Sequence, residues 1–147
     1  MQLTDSISSL LKQNRPIHSI SPSDSVFDSI AVMAEKQVGA LLVIADDKLV
    51  GIISERDYAR KVILQGRSSK TTPVAEIMSS PVIYVSPAHT IGECMEIMTD
   101  QRIRHLPVLR GDQITGVISI GDLVNWTISS QRETIRHLES YITGTPR

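Results

Sequence analysis

Two hydrophobic rhythms alternate along this chain, and their succession is written twice. Val26, Ile30 and Met33 recur at helical spacing, and so do Ile91, Met95 and Met98. Each set opens on a hydroxyl residue with a carboxylate three positions later, Ser25-x-x-Asp28 and Thr90-x-x-Glu93. This is the capping box, in which both side chains satisfy free backbone N–H groups at the start of a helix. A short extended piece precedes each helix, PIHSIS in one case and PVIYVS in the other. Beyond each helix come two apolar runs joined by a tight polar turn. ALLVI turns at Asp46-Asp47 into KLVGII, and LPVL turns at Gly111-Asp112 into QITGVI. The unbroken apolar run Leu41–Ile44 predicts a strand buried on both faces. A second capping box, Ser54-x-x-Asp57 or Ser119-x-x-Asp122, then opens a second helix. The predicted unit is β-α-β-β-α, in the α/β class.

The two units align without a gap at an offset of 65 residues, from Pro16 on Pro81 onward. Gly51, Ile53, Ser54 and Asp57 fall on Gly116, Ile118, Ser119 and Asp122, so Gly-x-Ile-Ser-x-x-Asp is written in both. Two copies of so short a unit predict that neither closes a core alone and that they pack as a pair. The expected limits are 7–65 for the first repeat, 66–73 for a linker, 74–128 for the second repeat and 129–147 for a helical tail. In the linker, Thr72 is expected to cap a short helix with Pro73 at its first position. The tail carries Ile128, Ile135, Leu138 and Ile142 on one face, with Glu133 and His137 four apart. That stripe needs a cover, either the body of the module or a second subunit, and the expectation is a homodimer.

Composition narrows the function more than the fold. Hydrophobic residues make up 41% of the 147, enough for a real core, but with one Phe, one Trp and three Tyr that core is aliphatic. Fifteen Lys and Arg against 16 Asp and Glu argue against a dedicated nucleic-acid binder, which would carry a basic face. The single cysteine, Cys94, excludes an internal disulfide and a Cys-rich zinc site, and its place on an apolar helix face assigns it to the core. The N-terminal MQLTDSISSLLKQ has no long apolar stretch, so no signal peptide is expected, and the longest apolar run, GALLVIA, is too short to span a bilayer. The expectation is a soluble, cytoplasmic protein. His18, His89, His105 and His137 show no ligand spacing, so no metal site is expected. GDQITG lacks the Lys-Ser/Thr of a phosphate-binding P-loop, and no catalytic constellation stands out, so no enzyme is expected.

The doubled pattern resembles a tandem pair of CBS domains, the regulatory repeat named after cystathionine β-synthase. The resemblance covers about residues 7–128. It is carried most fully by IMSSPVIYVSPAHTIGECMEIMTDQRIRHLPVLRGDQITGVISIGDL and, in the first copy, by SPSDSVFDSIAVMAEKQVGALLVIADDKLVGIISERDY. It implies two α/β repeats related by pseudo-two-fold symmetry, two clefts between them, and pairing of modules into a flat dimer. It also implies adenosyl ligands in the clefts, with AMP expected and ADP, ATP or NADH as relatives. With no enzyme or channel attached, the expectation is a stand-alone module that signals to an unidentified regulated protein.

Within that resemblance the Ser-x-x-Asp boxes acquire a second use beside capping. A strand entering a helix N-terminus offers free N–H groups to phosphate, and a carboxylate can accept from two vicinal ribose hydroxyls. Ser54, Asp57, Ser119 and Asp122 are therefore candidate ligand residues. Arg56, Arg60 and Lys61 sit in the first two turns of the helix that the first box opens, where cations oppose the helix dipole, and are candidates for phosphate or else a solvated face. The second copy carries Arg104 and His105 where the first has Gly39 and Ala40, which leave room for a flat base. The resemblance adds Thr72 as a ligand contact, with capping as its alternative, and Val82 and Ile83 as backbone partners of an adenine edge. The clefts are expected to be unequal: AMP beside Asp122 with Arg104 and His105, and a longer or more charged ligand, or none, beside Asp57. A constitutive dimeric scaffold without obligatory ligand is the competing reading.

Overall fold

The structure is a computed structural model that describes residues 3–12 and 15–143. Helix α1, Val26–Lys36, is capped by the Ser25 hydroxyl, which accepts from the Asp28 N–H at 3.1 Å. It buries Val26, Ser29 and Met33 and stops at Gln37, whose φ of 57° turns the chain out of the helix. Strands β2, Ala40–Ala45, and β3, Lys48–Ser54, form a hairpin whose turn residues Asp46 and Asp47 have φ of 51° and 62°. Two positive φ values at the turn match the right-handed twist of the flanking strands. Strand β1, Ser19–Ile20, adds to this hairpin parallel to β2. A short helix α2, Glu55–Tyr58, runs on into a wider π turn, Ala59–Ile63.

The second repeat reproduces these elements at the same offset. Helix α3, Ile91–Gln101, has both arms of its capping box, Thr90 with Glu93, and ends at Arg102 with φ 55°, the position aligned with Gln37. Strands β4, His105–Arg110, and β5, Gln113–Ser119, pair in the register of β2 and β3: Ala40 opposite Ser54 becomes His105 opposite Ser119. The slip between Val43 and Ile44 recurs between Val108 and Leu109.

The copies part in two places. The piece aligned with β1 is reduced to one bridge, Val85 to Val108. In the first repeat the Leu42 N–H donates to the His18 carbonyl at 3.2 Å, whereas the aligned position is Pro107, which has no N–H to give. The second parting is helix α4, Ile120–Thr143, which runs unbroken for 24 residues. The helix expected after Ser119 and the tail expected after it are one element, and it buries Leu123 and Trp126 while Ile120, Val124, Ile128, Ile135 and Leu138 stay exposed. The Ile142 side chain and residues 144–147 lie outside the described residues.

Each repeat is completed by the segment that precedes the other. Val74 and Ile77 enter the core formed by Val26, Met33, Leu41, Val43, Ile53 and Val62. Ile7, in a 3-10 turn at Ile7–Lys12, enters the core of Ile91, Cys94, Met98, Leu106, Ile118 and Leu123. Backbone bonds seal both exchanges: Val26 N–H to Thr72 O and Val74 N–H to Asp24 O at 2.8 Å, Ile7 N–H to His89 O at 2.8 Å and Ile91 N–H to Asp5 O at 2.9 Å. Packing thus crosses the limits that the sequence repeat draws. Thr72 does not cap a helix as expected. The 3-10 turn Val74–Glu76 is entered at Pro73 without a side-chain cap, and the buried Thr72 hydroxyl donates to the Ser68 carbonyl at 2.7 Å. Thr72 is held there because its own carbonyl serves α1.

Candidate functional site

Two clefts lie between the repeats, one of about 600 Å³ beside Asp57 and one of about 530 Å³ beside Asp122. Each takes the capping box of one repeat and the residues just before the first hairpin strand of the other. The Asp57 cleft combines Ser54 and Asp57 with the stretch Arg102–His105. The Asp122 cleft combines Ser119 and Asp122 with the stretch Lys36–Ala40.

At the first cleft, Asp57 Oδ2 accepts from the Ser54 N–H at 3.0 Å and from the Ser54 hydroxyl at 3.1 Å, while the Asp57 N–H donates to Ser54 Oγ at 3.2 Å. Its other oxygen faces Lys61 Nζ at 3.2 Å, one turn further on. Lys61 also donates to the Ile77 carbonyl at 2.9 Å, so the ammonium is fixed on both sides. Arg56 reaches across the cleft to the Arg102 carbonyl at 3.0 Å and ties α2 to the second repeat. Arg60 and Arg104 complete a cationic lining, and Ser79, Pro81 and Ile83 face it.

At the second cleft, Asp122 Oδ2 accepts from the Ser119 N–H at 2.8 Å, and the Asp122 N–H donates to Ser119 Oγ at 3.1 Å. The remaining oxygen accepts from Arg15 at 2.8 Å, a residue 107 positions away. Burial pushes the Asp122 carboxyl up, but the Arg15 hydrogen bond and charge, with the Ser119 bonds, outweigh it and hold the group below its ordinary value. His105 is displaced the other way from its charged form: burial lowers it, Arg104 lowers it further, and Asp122 and Glu55 pull it partly back. The Cys94 thiol, buried in the second core, is pushed up to about 11 and is inert at neutral pH.

The candidate residues divide unevenly. Ser54, Arg56, Asp57, Arg60, Lys61 and Ile83 line the first cleft, and Ala40, Ser119 and Asp122 the second. Gly39 and His105 line both. Thr72 and Val82 line neither, so their direct role is not supported by position. Arg104 was expected beside Asp122, and it lines the Asp57 cleft instead. Its carbonyl accepts from the Ile120 N–H at 2.8 Å, which pins the backbone at the start of α4. Side chains alternate along an extended chain, so Arg104 enters the opposite cleft from the box its backbone supports. Arg15 and Arg102 were not singled out by sequence. Arg102 aligns with Gln37, a mismatch that marks the second copy, whereas nothing local to Arg15 points to Asp122. No group of three metal-ligating side chains occurs among the described residues.

Comparison with known proteins agrees with this arrangement. The CBS domain pattern matches residues 7–63 and 74–129. The chain is 44% identical over 126 residues to the mitochondrial CBS domain-containing protein CBSX3 of Arabidopsis thaliana, covering 82% of this chain and 61% of that protein's length. Among solved structures, a candidate signal-transduction protein with CBS domains from Burkholderia ambifaria superposes with a TM-score of 0.83 at 50% identity, covering 86% of this chain and 96% of its own. The hexameric CBS-CP12 protein of bloom-forming cyanobacteria superposes with a TM-score of 0.77 at 26% identity, covering 99% and 91%.

Proposed function

The chain belongs to the CBS-domain family, and from that footing we propose that it is a regulatory module that senses adenine nucleotides and relays their presence to another protein. The observation that carries this reading is the meeting, in one cleft, of a capping-box carboxylate with Arg56, Arg60, Lys61, Arg102 and Arg104. The carboxylate suits ribose hydroxyls, and the guanidinium groups suit phosphate. The cationic lining favours a di- or triphosphate, ATP or ADP, or a dinucleotide such as NADH in the Asp57 cleft. The Asp122 cleft, with Arg15 alone bonded to its carboxylate, suits AMP. The role is regulatory rather than catalytic, with no cofactor.

The test is thermal melting of the full chain with AMP, ADP, ATP and NADH in turn. A ligand at a hundred times its dissociation constant adds about 2.7 kcal/mol. No shift with any of the four would overturn the reading.

A second reading, a constitutive dimeric scaffold, is favoured by the exposed stripe Ile120, Val124, Ile128, Ile135 and Leu138 of α4 and by exposed Ile63 and Leu64. The cyanobacterial relative's hexameric state supports assembly as well. The two readings are compatible in a homodimer that binds nucleotide. No described helix is long and apolar enough to cross a membrane. Residence in the cytoplasm is part of the proposal, beside a plant relative whose name places that protein in the mitochondrion.

A further inference from the structure

Gly39 and His105 are shared by both clefts, which makes them the wall between two otherwise separate spaces. The wall is thin. A Cβ at Gly39 would stand 3.5 Å from His105 Cε1, 3.6 Å from Nε2 and 3.3 Å from the Glu55 carboxylate. The ring therefore reaches from its strand position opposite Ser119, in the Asp122 cleft, to the Gly39 backbone of the first repeat, beside which Glu55 lines the Asp57 cleft. The aligned residue in the first repeat is Ala40, so this side chain has no symmetry mate.

We propose that His105 couples the two clefts, so that an anionic ligand in one raises the affinity of the other for a second. The inference rests on the nucleotide reading above. The charged groups facing the ring are Asp122 from α4, Glu55 from α2 and Arg104 from the residue before its own strand. Lys36 and Arg15 share the Asp122 cleft with it, and Arg56, Arg60, Lys61 and Arg102 share the other. Burial and Arg104 disfavour the charged form of the ring. A phosphate arriving on either side favours the imidazolium, and the proton comes from solvent. A protonated ring has two N–H donors on different edges, so the charge recruited by the first ligand also serves the second. Because linkage is reciprocal, either cleft can act first.

The experiment is calorimetric titration of the full chain with AMP, alone and with ATP already bound, at pH 7 and pH 9, in buffers of different ionisation enthalpy. At pH 7 AMP should bind about fivefold tighter to the ATP-loaded chain than to the free chain, with net proton uptake on the first ligand. At pH 9 both the coupling and the uptake should disappear. His105→Gln should bring the coupling to unity and abolish uptake, whatever happens to the separate constants. Gly39→Ala, whose Cβ would press on the Glu55 carboxylate at 3.3 Å while meeting the ring in ordinary contact, should reduce coupling and retain uptake. Independent sites in the unaltered protein, AMP and ATP competing for one cleft, or coupling that survives His105→Gln would each overturn the proposal. Absence of both AMP and ATP binding at any pH would instead count against the nucleotide reading, and the coupling with it.

Discussion

The two clefts share a capping box and differ in what holds its carboxylate. Asp57 is met by Lys61, four residues on along the same helix and itself anchored on the Ile77 carbonyl. Asp122 is met by Arg15, brought from 107 residues away and with a side chain 53% exposed. The first partner comes with the helix, and a ligand gains little by competing for it. Both cations are about half exposed, 46% for Lys61 and 53% for Arg15, and such ion pairs contribute about 0–1 kcal/mol. What sets Lys61 apart is its second bond to the Ile77 carbonyl, which Arg15 is not shown to match. One motif can thus serve as a rigid socket or a yielding one, depending on a residue outside the motif.

The largest effect should come from the carboxylates themselves. Asp57→Asn and Asp122→Asn should each weaken nucleotide binding in their own cleft by tenfold or more, since hydrogen bonds to a charged group contribute about 1.5–3 kcal/mol. The stability of the free protein should fall by no more than about 1 kcal/mol, because the Asn amide oxygen, at the third position of the box, can still accept from the Ser54 or Ser119 N–H, and the ion pair lost with the charge is partly exposed. Calorimetry and melting of both variants check this, and a variant that loses stability but keeps binding would return that box to capping alone.

Next in size is Arg104→Ala. With Arg104 on the Asp57 side, the substitution should lower ATP affinity there by roughly tenfold and flatten its salt dependence, leaving AMP at the Asp122 cleft within about twofold. An effect confined to the Asp122 cleft would mean that the side chain crosses to the other side when ligand binds.

The smallest effect belongs to Arg15→Ala, and it is lost in acid. Asp122 titrates below its ordinary value of 3.8 in the folded chain, so its contribution is complete above that value and is lost as pH falls through the folded one. Removing Arg15 should reduce stability slightly at pH 5, by less than about 1 kcal/mol, and the difference should close toward pH 2. Urea titrations at pH 5 and pH 2 measure it. A difference that grows on acidification would show that Arg15 acts elsewhere.

What could be read before the structure was known follows a physical line. Capping boxes, the hairpin register and the helix spacing are local, so residues a few positions apart carried them, and the offset of 65 located every aligned pair down to the αL ends at Gln37 and Arg102. The loss of a β1 counterpart is legible in Pro107, which has no N–H to donate where Leu42 donates. The cleft to which Arg104 belongs was not legible, because it depends on how one repeat crosses the other. Arg15 on Asp122 and Ile7 in the second core depend on distant chain meeting distant chain, and neither has a pattern of its own. Thr72 misled for a related reason: its hydroxyl looked like a local cap, while its carbonyl was already engaged by α1.

The exchange of leading segments has a consequence for how the chain acquires its structure. Ile7 is made early and its core partners Ile91, Leu106 and Leu123 late, so the N-terminal turn has no place to dock until nearly the whole body exists. The first repeat has a shorter wait, since its missing residues, Val74 and Ile77, follow directly behind it. During synthesis the first core can therefore close while the second is still open, and the last event is a long loop closing on itself, the slow kind of contact in folding. Hydrogen exchange pulsed during refolding should protect Val26 and Val74 before Ile7 and Ile91. The N-terminal turn is then a latch on a finished module, and cleavage just after residue 12 would open the second core without touching either cleft's aspartate.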